Sequence, residues 1–183
     1  MFASMRPSIL LPVLALAMPM LSGADMAYAQ MAEPSQATCT APAPLPETLA
    51  GWASPAAVKA AGTDKGLAKA ALTAGKAATV TLLPTPRVAY ALRPEKPGGS
   101  VSYGGLLRFT VAQAGSWRVA LSSGAWVDVV KDGTASVSTA HGHGPDCTGV
   151  RKMVDHSLTP GVYTLQIAAN GAETMTVMVT PLS

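Results

Sequence analysis

The chain has 183 residues, of which 13 % are charged, and its formal net charge is only +3. The Lys and Arg residues do not cluster, so the sequence gives no sign of the basic face that nucleic-acid binding requires. The sequence holds one long apolar run, near its N-terminus, and we expect no transmembrane segment once that run is removed.

The first 29 residues have the three parts of a secretory signal peptide. Arg6 supplies the positive charge, residues 9–21 form the apolar run, and Ala27-Tyr28-Ala29 is a small-x-small cleavage site. The apolar run is shorter than the ~20 residues that cross a bilayer. We expect cleavage after Ala29, export to the periplasm or beyond the cell, and a mature chain of about 150 residues, which suits one domain.

Residues 30–77 are predicted to form a linker or arm with a short helix. Residues 30–46 are rich in Ala, Pro, Gln, Ser and Thr, a composition typical of an extended segment. Ser54 before Pro55 looks like an N-cap followed by proline in the first helical turn. The sequence therefore predicts a helix over residues 55–61, while residues 65–74 are either a second weak helix or a loop.

From residue 78 to residue 183 the sequence has the pattern of β-strands. Asp132-Gly133 and Asn170-Gly171 predict hairpins, and Thr159-Pro160-Gly161 predicts a tight turn with Gly161 at positive φ. Such turns separate eight or nine short strands, which indicates an all-β antiparallel β-sandwich or jelly roll. The predicted strands span residues 78–83, 87–92, 101–111 with a bulge or bend at Gly104-Gly105, 117–122, 125–131, 134–139, 150–158, 162–168 and 174–180.

The stretch His141-Gly142-His143-Gly144-Pro145-Asp146-Cys147 concentrates side chains that can do chemistry. Residues two apart on an extended backbone point to one face, so His141 and His143 can present their imidazoles together. Asp146, Cys147 and His156 are further donors, and three or four N, O or S donors make up a Zn²⁺ or Cu²⁺ site. We predict a candidate metal site at His141, His143, Asp146 and His156 for Zn, Cu or Fe.

Simpler interpretations of these residues remain open. A histidine pair flanked by glycines also fits an exposed turn. His156 shares its strand parity with Val154 and Leu158, which favours a core-facing histidine with one hydrogen bond. In an oxidising compartment Cys39 and Cys147 are expected to form a disulfide, which would leave Cys147 unable to bind a metal.

The tryptophans offer a different kind of site. Trp117 has the parity of the core residues on its predicted strand. Trp126 lies opposite Val127 and Val129, so it is the better candidate for an exposed ring on which a sugar could stack.

Two resemblances to known families add expectations. The segments LRFTV (residues 107–111), GSWRVAL (115–121) and LTPGVYTLQI (158–167) resemble the bacterial pre-peptidase C-terminal type of jelly-roll domain, which implies that fold. The whole mature chain resembles a group of small exported alphaproteobacterial proteins that often carry the label homogentisate 1,2-dioxygenase. Residues 141–145 and 149–155 carry this second resemblance, which implies an Fe(II) enzyme with two His and one Glu as ligands. His141 and His143 imitate the paired histidines of such a site, and the chain offers Asp146 and His156 where a Glu and a third His are expected, so the resemblance assigns no catalytic residue.

The sequence therefore leaves three functions open. The first is an exported, non-enzymatic binding or accessory protein with a candidate metal at the 141–147 segment. The second is a metal-dependent oxidoreductase, as the dioxygenase label implies. The third is an envelope or surface interaction module without a metal, whose partner is an envelope protein or a glycan.

Overall fold

The structure is a computed structural model and describes residues 39–182. In this range the chain forms eleven β-strands and three short 3-10 helices. The signal peptide and the first part of the arm, both predicted from sequence, lie outside the described residues. None of the described helices has the length and apolar character that crossing a membrane requires.

Short helices and strands follow one another along the chain. The 3-10 helices span Glu47–Ala53, Asp64–Lys69 and Thr85–Arg87. The strands are β1 (Ala56–Lys59), β2 (Ala77–Thr81), β3 (Leu83–Pro84), β4 (Tyr103–Val111), β5 (Gly115–Leu121), β6 (Trp126–Lys131), β7 (Thr134–Ala135), β8 (Ser138–Gly142), β9 (Lys152–Leu158), β10 (Gly161–Asn170) and β11 (Thr174–Leu182).

The strands form two sheets that pack against each other. One sheet has six strands in the order β1-β2-β11-β5-β9-β8, and the other has five in the order β3-β4-β10-β6-β7. The quartets β2-β11-β5-β9 and β4-β10-β6-β7 have the strand order of a jelly roll: along the chain these eight strands change sheet at every step except between β6 and β7, which form a hairpin. The predicted all-β sandwich is therefore confirmed.

The core lies between the sheets and follows the alternation of the strands. Trp117, Val119 and Leu121 on β5 are buried, and so are Leu165 and Ile167 on β10. These inward residues of both sheets belong to one continuous apolar cluster. Alternate residues point to the same side of a strand, so the period of two in the sequence correctly predicts this core.

The predicted helix over residues 55–61 is wrong. Residues 56–59 form β1, which pairs in parallel with β2 through Ala56 to Ala78 and Val58 to Val80. Helix propensity is a weak preference that tertiary pairing overrides, and in this fold the edge of β2 supplies hydrogen-bond partners for the segment. The helical turns of the arm lie at Glu47–Ala53 and Asp64–Lys69 instead.

The first part of the described arm covers the outer side of the six-stranded sheet. Leu49 and Trp52 are buried there, in a second apolar cluster that also contains Ala120, Val150 and Met178. This cluster explains how β5 and β11 can carry apolar residues on both faces.

The predicted strand over residues 87–92 is also wrong. This segment crosses the five-stranded sheet as irregular chain, and the Tyr90 hydroxyl donates to the Ile167 carbonyl at 3.1 Å. The Gln166 side chain accepts from the Leu92 N–H at 3.0 Å and donates to the Leu92 carbonyl at 3.1 Å. The side-chain amide of the buried Gln166 therefore holds this segment against the sheet without strand pairing.

The predicted turns have mixed outcomes. Asp132 and Gly133 have φ of 51° and 74° and join β6 to β7 in a hairpin, and Gly161 has the predicted positive φ, at 147°. Asn170-Gly171 does not form a hairpin, because β10 and β11 belong to different sheets. The irregularity predicted at Gly104-Gly105 is present in the pairing of β4 with β10, where Gly105 pairs with Ile167 and Tyr103 with Asn170, but the extra residue lies on β10.

The predicted strand over residues 134–139 is divided between the two sheets. Thr134–Ala135 is β7 in the five-stranded sheet, and Ser138–Gly142 is β8 in the six-stranded sheet. The first part of the histidine-rich segment is therefore strand, and its second part is loop.

Candidate functional site

One side of the sandwich is open where the first half of β6 pairs with β10 but has no strand on its other side. Strand β7 pairs with β6 only at Val130 and Lys131, so Trp126–Asp128 is left at an edge. A cavity of about 500 Å³ lies there, between β6, the β7–β8 connection and the inner side of β8 and β9; we call it the edge cavity. Its polar and aromatic lining residues are Glu95, Lys96, Trp126, Asp128, Ser136, Ser138, His141, Lys152 and His156.

His156 is the most deeply buried polar residue of the edge cavity. On β9 it alternates with Val154 and Leu158, which are buried in the core, and it faces Trp117 in the register of β5. Its side chain is 3 % exposed, and neither Nδ1 nor Nε2 has a hydrogen-bond partner in the described part of the chain. The core-facing position predicted from strand parity is confirmed. The backbone of Ser136 and Val137 lies near enough to the ring to act on its pKa, but neither meets the distance and angle of a regular hydrogen bond to it.

Burial also changes the ionisation of His156. Removal from water lowers its pKa below the usual 6.5. The nearby backbone of Ser136 and Val137 and the charges of Asp155 and Asp128 act in the opposite direction but do not offset burial. The imidazole is therefore neutral at pH 7, with one donor and one acceptor nitrogen.

Trp126 supplies the aromatic surface of the edge cavity. Its ring is half-buried, and its Nε1 donates to Asp128 Oδ1 at 2.9 Å. The Nζ atoms of Lys96 and Lys152 lie 5.6 and 5.7 Å from the centre of the ring, within the range of cation–π contacts. Trp117, by contrast, is 5 % exposed, so the predicted difference between the two tryptophans is confirmed.

Asp128 is held in place by its neighbours. Besides the bond from Trp126, its Oδ2 accepts from Nε2 of the fully buried Gln166 at 3.3 Å. The same amide binds the backbone of Leu92, so one side chain joins β10 both to β6 and to the irregular segment of residues 87–92. Both carboxylate oxygens of Asp128 therefore have protein partners.

Lys152 is a half-buried cation without a carboxylate partner. Its Nζ donates to the Ala125 carbonyl at 2.9 Å, and neither Lys152 nor Lys96 makes an ion pair within residues 39–182. Burial lowers the pKa of Lys152, and the nearby charge of Lys96 lowers it further. Two ammonium groups thus meet beside Trp126, and neither forms an ion pair with Glu95 or Asp128, the carboxylates that line the same cavity.

His141 and His143 line a second, smaller cavity, as their spacing predicts. This small cavity has a volume of about 270 Å³ and is also lined by Gly124, Gly142, Arg151 and Lys152. It adjoins the edge cavity, since Gly124, His141 and Lys152 line both. His143 Nδ1 lies 3.3 Å from the Arg151 carbonyl, and because a carbonyl only accepts, Nδ1 carries the proton.

Asp146 and Cys147 lie on the other side of His143. They line a third cavity, also of about 270 Å³, together with His143 and Arg151. Cys147 forms a disulfide with Cys39 at a Cα–Cα distance of 5.4 Å, which confirms the predicted pairing. Cys147 is therefore not available as a metal ligand.

The structure thus divides the four residues of the predicted metal site. His141 and His156 line the edge cavity, His141 and His143 line the small cavity, and Asp146 lines the third. Within residues 39–182, no group of three or more His, Cys, Asp or Glu side chains is arranged to hold a metal ion. The four-residue site stays a prediction.

Sequence reasoning missed the lysines of the site. Lys152 has the parity of Val154 and His156, so an inward-facing lysine on β9 could have been noticed. Lys96 lies in the turn-like stretch before β4, where no local pattern indicates that it reaches Trp126.

Comparison with known proteins adds no further assignment. The chain matches no protein-family model, and it matches no curated protein. The resemblances to the pre-peptidase C-terminal type of domain and to the dioxygenase-labelled group therefore stay predictions.

Proposed function

We propose that this protein is an exported binding or accessory protein of a bacterial envelope, and that it holds a small ring-bearing ligand in the edge cavity. A saccharide unit of a glycan is the ligand class that its lining suits best. The observation that carries this proposal is His156, a histidine buried to 3 % exposure with two nitrogens that have no partner in the described chain.

A buried polar group without a partner costs about 1–3 kcal/mol. A neutral imidazole has one donor and one acceptor, and a sugar hydroxyl can pair with either. A hydrogen bond from a ligand hydroxyl to His156 would therefore offset the unfavourable free energy of burying this ring without a partner.

The remainder of the lining supports a ring-shaped ligand. The volume of about 500 Å³ lies in the range of small-molecule sites. Trp126 offers an aromatic surface, while Ser136 and Ser138 add hydroxyl groups at the β7–β8 connection. An apolar ring face with a few convergent polar groups is typical of such sites.

Export is supported from two directions. The signal-like segment ending at Ala29 predicts secretion. The disulfide between Cys39 and Cys147 is a bond that persists in oxidising compartments such as the periplasm.

The test uses tryptophan fluorescence of the exported chain. Trp52 and Trp117 are 8 % and 5 % exposed, so acrylamide should quench Trp126 preferentially. Glucose, N-acetylglucosamine and glucuronate serve as probes, and at least one should protect the fluorescence. His156→Leu should weaken that binding about tenfold, and Asp146→Ala, which does not line the edge cavity, should leave it unchanged. No protection by any probe would contradict the proposal.

A metal at His141 and His156 is the second candidate, because both histidines line one cavity and the His156 nitrogens have no partner in the described chain. A redox-active metal there would support the oxidoreductase that the dioxygenase label implies. The test is metal analysis of the untagged exported protein beside His141→Ala/His156→Ala, with Asp146→Ala as control. Stoichiometric metal in the wild type and control, but not in the double variant, would support this function, and none in any of them would reject it.

A further inference from the structure

We propose that the ligand of the edge cavity is a carboxylated sugar, a hexuronate, whose carboxylate binds in the adjoining small cavity beside Lys152 and Arg151. This inference rests on the proposed binding function and adds the charge of the ligand. It follows from the charges that surround the two cavities and from the way in which they are paired.

The side chains that line the small cavity are cations and histidines, and the remaining lining residues are glycines. Arg151 and Lys152 are its charged residues, and His141 and His143 complete its polar lining. No carboxylate lines it, and in the described part of the chain neither Arg151 nor Lys152 makes an ion pair. Such a donor set repels a metal cation and attracts an anion.

The carboxylates of the edge cavity do not line the small cavity. Glu95 and Asp128 line the edge cavity together with Lys96 and Lys152, so the formal charges of that lining balance. Asp128 is hydrogen-bonded to Trp126 and Gln166, and neither carboxylate makes an ion pair within residues 39–182. The excess of positive charge therefore lies in the small cavity, where Arg151 and Lys152 have no carboxylate beside them in the lining.

Lys152 is placed to bind an oxygen anion. It uses one donor on the Ala125 carbonyl, which leaves two of the three ammonium protons for a ligand. Its pKa is lowered by burial and by the charge of Lys96, so the ammonium of the free protein lacks a compensating charge. A bound carboxylate would supply that charge through a strong, charge-assisted hydrogen bond.

The two histidines line the small cavity beside these cations. His143 Nδ1 donates to the Arg151 carbonyl, which fixes its ring beside the backbone of β9 and leaves Nε2 as an acceptor for a ligand hydroxyl. His141 lies on β8 at the boundary of the two cavities. A molecule with its carboxylate in the small cavity would therefore place its ring toward Trp126 and His156.

A hexuronate is available either as a free monosaccharide or as a unit of an acidic polysaccharide. Both carry the same ring and carboxylate, so they offer the same chemistry to the two cavities. An exposed β8 edge beside the cavity is compatible with a longer chain. Glucuronate and an oligogalacturonate distinguish the two sources.

The experiment compares three small probes by protection of Trp126 fluorescence from acrylamide: glucuronate, its neutral counterpart glucose, and acetate. Glucuronate should bind about tenfold more tightly than glucose, the gain of one charge-assisted hydrogen bond. Acetate at the same concentration should protect less than glucuronate, since it lacks the ring. Oligogalacturonate should bind at least as tightly as glucuronate if a polysaccharide is the source, and more weakly if the free sugar is.

Two double variants distinguish loss of positive charge in the small cavity from a general loss of structure. Arg151→Gln/Lys152→Gln should remove the preference for glucuronate over glucose and retain glucose binding, which shows that the cavity is intact. Lys76→Gln/Lys131→Gln loses the same charge away from both cavities and should keep the preference. Equal affinity of the wild type for the two sugars, or a preference that survives in Arg151→Gln/Lys152→Gln, would overturn the inference while the binding function stands. Absence of binding by every sugar would overturn both.

Discussion

The two halves of the segment from His141 to Cys147 belong to different parts of the molecule. His141 lies on β8 beside the edge cavity and has a buried histidine as its neighbour there. Cys147 lies in the following loop, where it is bonded to Cys39 and its carbonyl accepts from the Ala43 N–H at 2.9 Å. One half lines the edge cavity, and the other half fastens the arm to the sandwich.

This comparison teaches that closeness in sequence is a poor guide to a shared site. His156 is fifteen positions from His141 in the chain (156 − 141), yet the two line one cavity because β8 and β9 are paired. Asp146 is much nearer in sequence and lines a different cavity. Strand pairing, rather than spacing, decides which side chains meet.

The largest effect on stability is expected from removing the disulfide between Cys39 and Cys147. Cys39→Ser/Cys147→Ser opens a loop of 108 residues, and the chain-entropy model gives a loss of up to ~4.7 kcal/mol in the free energy of unfolding. Urea denaturation of the variant and the wild type measures this loss. At temperatures where the variant is folded, sugar binding should change less than twofold. A stability loss below ~1 kcal/mol would contradict the role given to the disulfide.

Gly142 and Gly144 allow the packing of the two halves of this segment to be compared. A Cβ at Gly144 would overlap the carbonyl and side chain of Val150, whereas one at Gly142 would meet open space. Gly144→Ala should therefore cost about 1–3 kcal/mol through overpacking, and Gly142→Ala should stay within about 0.5 kcal/mol. Thermal or urea unfolding measures both, and equal effects would show that the loop half is not tightly packed.

The buried His156, which lines the edge cavity with His141, is expected to make stability depend on pH. The pKa of His156 is lower in the folded than in the unfolded chain, where it is close to 6.5. The unfolded state then binds the proton more readily than the folded state. The contribution of the neutral His156 to the free energy of unfolding is therefore fully present above pH 6.5 and is lost as the pH falls below it. Urea unfolding between pH 7.5 and pH 5 measures the loss (a range chosen as roughly one to two units either side of the usual histidine pKa).

Two variants identify the group responsible for this pH dependence. His156→Leu removes the buried imidazole and should flatten the acid limb. His143→Ala removes an exposed ring and should leave the limb as it is. An acid limb that persists unchanged in His156→Leu would assign the effect to other groups.

The smallest effect is expected at Asp146. It is exposed and forms no ion pair within the described range, so Asp146→Ala should change the free energy of unfolding by no more than about 0.5 kcal/mol. Sugar affinity and metal content should equal those of the wild type. Loss of a bound metal in this variant would restore the four-residue metal site predicted from sequence.

Local patterns in the sequence predict much of the fold. The alternation of Trp117, Val119 and Leu121, and the Asp132-Gly133 turn, depend on neighbours in the chain and are correctly predicted. Errors occur where distant pairing decides the structure. Residues 56–59 become a strand because β2 offers an edge, and Asn170-Gly171 joins two sheets instead of one hairpin.

The candidate site is predictable only in part for the same reason. His141, His143 and His156 can be selected as candidates by residue type, and the disulfide follows from the two cysteines. The meeting of Lys96, Lys152 and Trp126 requires three separate segments to converge, which no local pattern encodes. The charge of the site can therefore be recognised only in three dimensions.

The most direct test of the ligand cavity is the NMR signal of the tryptophan indole N–H groups during titration with glucuronate. Trp52, Trp117 and Trp126 give three such signals in ¹⁵N-labelled protein, and Trp126→Phe assigns the third. Trp126 Nε1 binds Asp128 inside the edge cavity, while Trp117 Nε1 donates to the Gln113 carbonyl elsewhere. We predict that glucuronate shifts the Trp126 signal in a saturable way and leaves the other two in place. A Trp126 signal that does not move with glucuronate, glucose or N-acetylglucosamine would contradict the assignment of the edge cavity as the binding site.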